Sequence, residues 1–289
     1  MRINHKIFSN ILFCSLLIMS LCSCFQDESV DQMQNRLKKQ YDLIIRAGEP
    51  SSFYVPPYTK ADATIPDGGT ANAASPLVLK ESLKGVEKAL KSYPEGFVSS
   101  LIDAIFISGE LWFEGERAGG TYSNSWIIVA SSLDNGGKES NYEVALYGVH
   151  HELSSFVLNK SIFTTLAWRE LMPEGWEVTQ SYSKALSTTE YGTPPDLENG
   201  FLNKYAETSV ENDFNTYAEF AFIKPEQLIQ MAEKYPLVAK KLRLFIDAYK
   251  AVSPEIATTL APFEKVAADD WEYRVKVDMS GISINPTIN

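Results

Sequence analysis

Cysteine is nearly absent from this 289-residue chain: its three copies, Cys14, Cys22 and Cys24, all fall within the first 24 residues. The rest of the chain therefore forms no internal disulfide and offers no thiolate to a metal. Histidine is as scarce, since His5 lies in the same leading segment and only His150 and His151 remain beyond it. Any chemistry that needs an imidazole must pass through that adjacent pair. Positive charge is also in short supply: 26 basic against 37 acidic residues give a net charge of −11. Residues 1–23 carry Arg2 and Lys6 and no acidic group, so the remainder of the chain stands at −13. A surface this acidic argues against nucleic acid or anionic lipid as a partner. No internal repeat is present, and the length allows one large domain with a sizeable core or two small ones.

What the leading segment does contain is ordered by charge and hydropathy. Arg2 and Lys6 make a basic start, Ile7 to Leu21 is an apolar run, and small residues come after it. The run is too short for a spanning helix of ~20 apolar residues and reads as a secretory signal. Its end, Leu21-Cys22-Ser23-Cys24, resembles the lipobox of bacterial lipoproteins, in which cleavage leaves an acylated cysteine as the first residue. That resemblance implies a signal peptide over residues 1–23 and a lipid anchor at Cys24; a plain cleaved signal is the alternative. Three acyl chains on one cysteine bury enough methylenes for stable anchoring. The acidic Gln26-Asp27-Glu28 resembles the signal that sends some Gram-negative lipoproteins to the cell surface. The expected location is thus the outer membrane, lipid-anchored and surface-exposed.

Hydrophobic spacing predicts a first helix over 30–46 and a second over 82–93, separated by a coil or loosely packed linker rich in Pro, Gly, Ser and Thr over 48–75. Short strands are predicted at 102–107, 111–114 and 126–130, forming one small sheet, with a turn at Gly119-Gly120 and another at Asp134-Asn135-Gly136-Gly137. Helical spacing returns over 142–158 and 162–171, and a loop then runs to about Gly200. Thr208-Ser209-Val210-Glu211 has the spacing of a capping box, and Pro225, Pro236 and Pro254 each sit where a helix begins. Alternation from Trp271 to Met279 predicts a half-buried final strand. Of the aromatic residues Trp112, Phe113, Trp126, Trp168 and Trp176, most are expected in the core, with a glycan or peptide cleft as the alternative.

The predicted helix over 142–158 carries Gly148-Val149-His150-His151-Glu152-Leu153-Ser154-Ser155-Phe156. Zinc peptidases use His-Glu-x-x-His because positions i and i+4 share one helix face, bringing two imidazoles to one ion while the glutamate activates water. His151 and Glu152 fill the first two places, but Ser155 stands at i+4, and a neutral hydroxyl is a poor zinc ligand. His150 diverges from His151 by ~100° around the helix. A Ser154 or Ser155 nucleophile paired with His151 lacks the strained elbow such serines occupy. A purely structural role for both histidines is the remaining option.

Together with Tyr205-Ala206-Glu207-Thr208-Ser209-Val210-Glu211-Asn212-Asp213-Phe214, this stretch resembles the zinc-binding metallopeptidase lipoproteins of Gram-negative bacteria, distant relatives of the lethal-factor-type gluzincins. The resemblance spans about 77–252, with Trp168 and Gly200-Phe201-Leu202 as lesser matches. It implies an α+β fold, mostly helical and gluzincin-like, with a small mixed β-sheet. It also implies His151 as the first zinc ligand, Glu152 as general base and Tyr205 as the group that steadies an oxyanion. Two departures stand out: Ser155 replaces the second ligand, and Asn212 replaces the ligand glutamate. Glu211, Asp213 and Glu219 are substitute donors, His150 a further candidate, though the capping box accounts for Glu211.

Zinc is the implied cofactor, at low occupancy, because an asparagine carbonyl suits hard ions better. The chain is expected to comprise a signal peptide at 1–23, a lipid-anchored helix and linker at 24–78, and a metallopeptidase-like domain at 79–289. The expected function is a surface lipoprotein with weakened or lost zinc-dependent catalysis that binds a protein, peptide or glycan ligand, with no role for nucleic acid. The alternative is an active zinc endopeptidase with an altered ligand set.

Overall fold

The computed structural model describes residues 28–54, 56–59, 64–132, 140–179, 181–187 and 194–268. The signal segment with Cys24, the Asp134–Gly137 turn and the predicted strand over 271–279 lie outside the described residues. The architecture is α+β, as the sequence predicts.

The first helix is shorter than its apolar spacing suggests. A reciprocal capping box between Ser29 and Gln32 starts α1 (Val30–Tyr41), and Asp42 ends it in the left-handed region at φ 52°. The β-branched pair Ile44-Ile45 then enters strand β1 (Ile44–Ala47) instead of continuing the helix. The expected linker is likewise packed, because Phe53, Tyr58 and Ile65 are buried among Phe106 and Trp126. Phe53 stacks on Phe106 at 4.7 Å, and the short β2 (Thr70–Ala71) closes the segment. Three large apolar side chains inside a polar stretch were enough to dock it.

Helix α2 (Pro76–Leu90) begins six residues before the predicted start, with Ser75 as cap and Pro76 in the first turn. The strands beyond it make two sheets, not one. β3 (Ala104–Ile107) and β7 (Trp126–Val129) run parallel to β1, and β6 (Gly120–Tyr122) pairs antiparallel with β7 at the edge. β4 (Leu111–Phe113) and β5 (Glu116–Ala118) form a hairpin joined to β2, turning through Glu114 at φ 51° and Gly115 at φ 86°. The predicted Gly119-Gly120 turn is therefore only partly right, since Gly120 already belongs to a strand.

Alternation along β3 and β7 splits the core. Ile105, Ile107, Ile127 and Val129 face the helices, whereas Ala104, Phe106, Trp126 and Ile128 face the Phe53 side. Helix α3 (Asn141–Asn159), opened by a Ser140–Glu143 capping box, lies on the first face against α2. Gly85 permits that crossing, because a Cβ there would stand 2.2 Å from the Tyr142 carbonyl. Beyond it come α4 (Ile162–Arg169), α5 (Tyr182–Ser187), α6 (Val210–Ile223), α7 (Pro225–Lys234), α8 (Pro236–Val252) and α9 (Ala257–Leu260). Helix α5 occupies part of the expected loop. Trp126 and Trp168 are fully buried, as predicted, and Trp168 meets Phe214 and Tyr217 edge-on at 5.1 Å.

Candidate functional site

Adjacent helix positions point different ways, and the two histidines of α3 have accordingly different fates. His150 is fully buried. Its Nδ1 shares a 2.8 Å hydrogen bond with the Tyr93 hydroxyl, and its ring stacks on Phe222 with centroids 4.8 Å apart. Burial pushes its pKa down to about 3, so it is a neutral core residue. As a metal candidate it is excluded by that packing: its Nε2 is sealed in the core.

His151 is only partly buried, and its Nδ1 lies 2.7 Å from Oε1 of Glu219 on α6. Burial opposes its charge, but the Glu219 hydrogen bond and the surrounding carboxylates of Glu219, Glu152 and Glu211 prevail and raise its pKa to about 9. The imidazolium is thus the resting form at neutral pH, with Nε2 its remaining nitrogen. Glu152 is 6 % exposed and, among the described residues, has no hydrogen-bond partner. Desolvation, offset in part by His151 and reinforced by Glu211 and Glu219, raises its pKa to about 7. Its carboxyl lies against strand β6: a Cβ on Gly120 would come within 2.6 Å of Oε1. Only glycine leaves that space.

Helix α6 runs antiparallel to α3, and the pairing sets the rest of the site. His151 meets Glu219, and one turn along Ser155 Oγ accepts a 2.8 Å hydrogen bond from Asn215 Nδ2. Asn215 Oδ1 accepts in turn from Ser154, whose hydroxyl also reaches the His151 carbonyl at 3.0 Å. The residue facing Ser155 is therefore Asn215, whereas Asn212, which the resemblance puts at the ligand glutamate, bonds elsewhere. Asn212 belongs to the helix start: its backbone N–H donates to Ser209 Oγ at 2.9 Å and its Nδ2 to Thr208 Oγ1 at 2.8 Å. The cap is Ser209, not Thr208, so the capping box assigned to Glu211 does not form. Glu211 instead stands beside the Tyr122 hydroxyl of β6, whose pKa burial and that carboxylate both raise.

Asp213 is displaced from the site as well. It is fully buried, 2.7 Å from Lys241 Nζ and 2.8 Å from the Trp168 indole nitrogen, and serves the core. Tyr205, in the turn before α6, has its ring 6.1 Å from His151. Burial and the carboxylate of Glu152 push its pKa well above the usual phenol range, which keeps it a proton donor. No Ser–His dyad forms, since the His151 Nδ1 is taken by Glu219 and both serines bond to Asn215.

The donor set does not fit a zinc ion. Ser155 and Asn215 are neutral, buried and satisfied by each other, and among the described residues no group of three or more His, Cys, Asp or Glu side chains is assembled to hold a metal. Two residues that matter here carry no site signal of their own in the sequence: Asn215 lies outside the motifs, and Gly120 is marked there only as part of a turn. For Asn215 a spacing signal does exist: Asn215 and Glu219 stand at i, i+4, the complement of His151 and Ser155 on a facing helix.

No protein-family model and no curated protein matches this chain. A crystal structure of a "putative zinc-binding metallo-peptidase" from Bacteroides caccae aligns with it at 12 % identity and a TM-score of 0.46, over 85 % of this chain and 96 % of that one. A likeness at that level assigns no role to any residue, so the site rests on its own geometry.

Proposed function

We propose that this chain is a lipid-anchored surface protein built on a metallopeptidase-like plan whose zinc centre has been dismantled, leaving a cleft that binds a protein, peptide or glycan ligand. The observation that carries this reading is the Ser155–Asn215 hydrogen bond. Two neutral groups that satisfy each other occupy the ground where a second and third ligand would have to converge on the His151 side of α3. Zinc sites need three or four anionic or imidazole donors, and one histidine beside a serine and an amide falls short. Anchoring at Cys24 and exposure at the outer membrane complete the proposal and rest on the lipobox-like segment alone.

One observation favours a second reading, a zinc peptidase with an altered ligand set. The bond from His151 Nδ1 to Glu219 is how zinc-ligating imidazoles are ordinarily held, with the other nitrogen left for the ion. Metal analysis separates the two. The purified mature protein, exposed to micromolar zinc and desalted, is expected to carry far less than one zinc per chain. One zinc per chain, lost on His151→Ala, overturns the first reading in favour of the second.

A further inference from the structure

A second pocket lies apart from the His151 site and shares no lining residue with it. It opens where α1 ends and the parallel strands β1 and β3 begin. Its volume of about 500 Å³ falls within the ~300–1,000 Å³ of small-molecule sites. Leu43 and Ile102, each 2 % exposed, give it an apolar floor, and the exposed side chains of Lys38, Lys39, Asp42 and Asp103 complete the lining that matters here.

The backbone keeps these four charges apart. Lys38 and Asp42 stand at i, i+4 and Lys39 and Asp42 at i, i+3, spacings at which opposite charges on a helix ordinarily pair. Lys91 and Glu87 do so at 2.8 Å, Lys84 and Glu81 at 2.6 Å, and Lys204 and Glu207 at 2.7 Å. Asp42 does not, because it ends α1 in the left-handed region at φ 52°, with its N–H on the Lys38 carbonyl, and its side chain leaves the helical row of the two lysines. Among the described residues, none of the four side chains makes an ion pair or a hydrogen bond.

Two ammonium groups and two carboxylates that share one pocket without neutralising each other select the charge of a ligand. A ligand of one sign would meet as much repulsion as attraction. A ligand of both signs meets attraction at each end: Lys38 and Lys39 suit a carboxylate, Asp42 and Asp103 suit an ammonium, and the Leu43–Ile102 floor takes an apolar body between them.

We infer that this pocket binds a short peptide with free amino and carboxyl ends and apolar side chains. The inference goes beyond the reading of the His151 site and stands whichever way the zinc question falls.

The test is calorimetric titration of the purified mature protein, at low ionic strength, with the dipeptide Leu-Leu, with acetyl-Leu-Leu and with Leu-Leu-amide. Leu-Leu is expected to bind once per chain and at least tenfold more tightly than either blocked form, since each block removes one charge. Lys38→Gln/Lys39→Gln and Asp42→Asn/Asp103→Asn should each weaken Leu-Leu binding at least tenfold. Asparagine tolerates the left-handed turn at position 42, so the second variant changes charge and keeps the backbone. Lys160→Gln/Glu174→Gln, exposed and outside the pocket, should leave binding unchanged. The blocked peptides are read on wild type, so the comparison does not depend on any variant folding. Failure of Leu-Leu to bind, equal binding of the blocked forms, or indifference to both charge variants overturns the inference.

Discussion

Ser155 and Asn215 are bound to each other at 2.8 Å, one helical turn from the His151–Glu219 pair at 2.7 Å. The two contacts form one ladder between antiparallel helices, and their chemistry differs: one rung is an ion pair, the other a neutral hydrogen bond. A zinc site would need both rungs to offer anionic or imidazole donors. The charged rung orients an imidazole, and the neutral rung leaves it without companions.

The buried Tyr93–His150 pair predicts a pH dependence of stability. With its pKa at about 3 in the folded chain and ~6.5 when unfolded, His150 is protonated only in the unfolded state between those values. Its contribution is fully present above pH 6.5 and is lost progressively as pH falls toward 3. The upper two units of that window correspond to about 2 kcal/mol. A Tyr93→Phe/His150→Phe double variant removes both polar groups together and should be close to neutral at pH 7. Urea unfolding at pH 6.5 and 4.5 should show wild type losing about 2 kcal/mol more than the double variant over that interval. Equal losses would contradict the neutral core assignment.

Lys241 and Asp213 are both fully buried and 2.7 Å apart, and the lysine also donates to the Asn199 carbonyl at 3.1 Å. Lys241→Met should cost about 3–5 kcal/mol, because it strands the aspartate charge in the core. Lys241→Met/Asp213→Leu should recover much of that loss. Denaturant midpoints check both, and a double variant no better than the single one would contradict the pairing as the source of the cost.

Gly120→Ala places a methyl 2.6 Å from Glu152 Oε1 and 2.9 Å from the Ile128 carbonyl. The expected destabilisation is about 1–3 kcal/mol, from overpacking. Adding Glu152→Ala should relieve part of it, leaving the carbonyl contact. Thermal unfolding of the two single variants and the double variant measures the coupling, and strict additivity would show that Glu152 does not press on β6.

Cys24→Ser should abolish incorporation of a clickable palmitate analogue during expression and release the protein from the membrane fraction. Retained labelling would contradict Cys24 as the anchor.

Much of the fold is legible in the sequence wherever apolar spacing is clean. Helices α6, α7 and α8 begin at or within two residues of the cap and proline signals that announce them, and α3 shows its 3.6-residue period. The differences arise where tertiary contact overrides local chemistry. Ile44 and Ile45 continue a helical stripe on paper, but Asp42 turns the chain and β3 offers a parallel partner. The segment over 48–75 has a linker's composition, yet its few aromatic residues find the open face of the sheet. At the site, His151, Glu152 and Ser155 are readable from one helix alone. Asn215 is not, because motif spacing points to Asn212, and which residue faces Ser155 depends on the register of two helices sixty residues apart in sequence.

Competitive zinc titration of wild type beside a Ser155→His/Asn215→Glu variant decides whether Ser155 and Asn215 leave the site without a zinc centre. If each strong ligand contributes roughly 3–4 kcal/mol, restoring two should add about 6–8 kcal/mol, or roughly 10⁴–10⁶ in affinity. Wild type is expected to bind zinc no more tightly than the millimolar range, and the double variant to bind one zinc at least a thousandfold more tightly, each with native circular dichroism. Wild type binding one zinc with nanomolar affinity would contradict a dismantled centre.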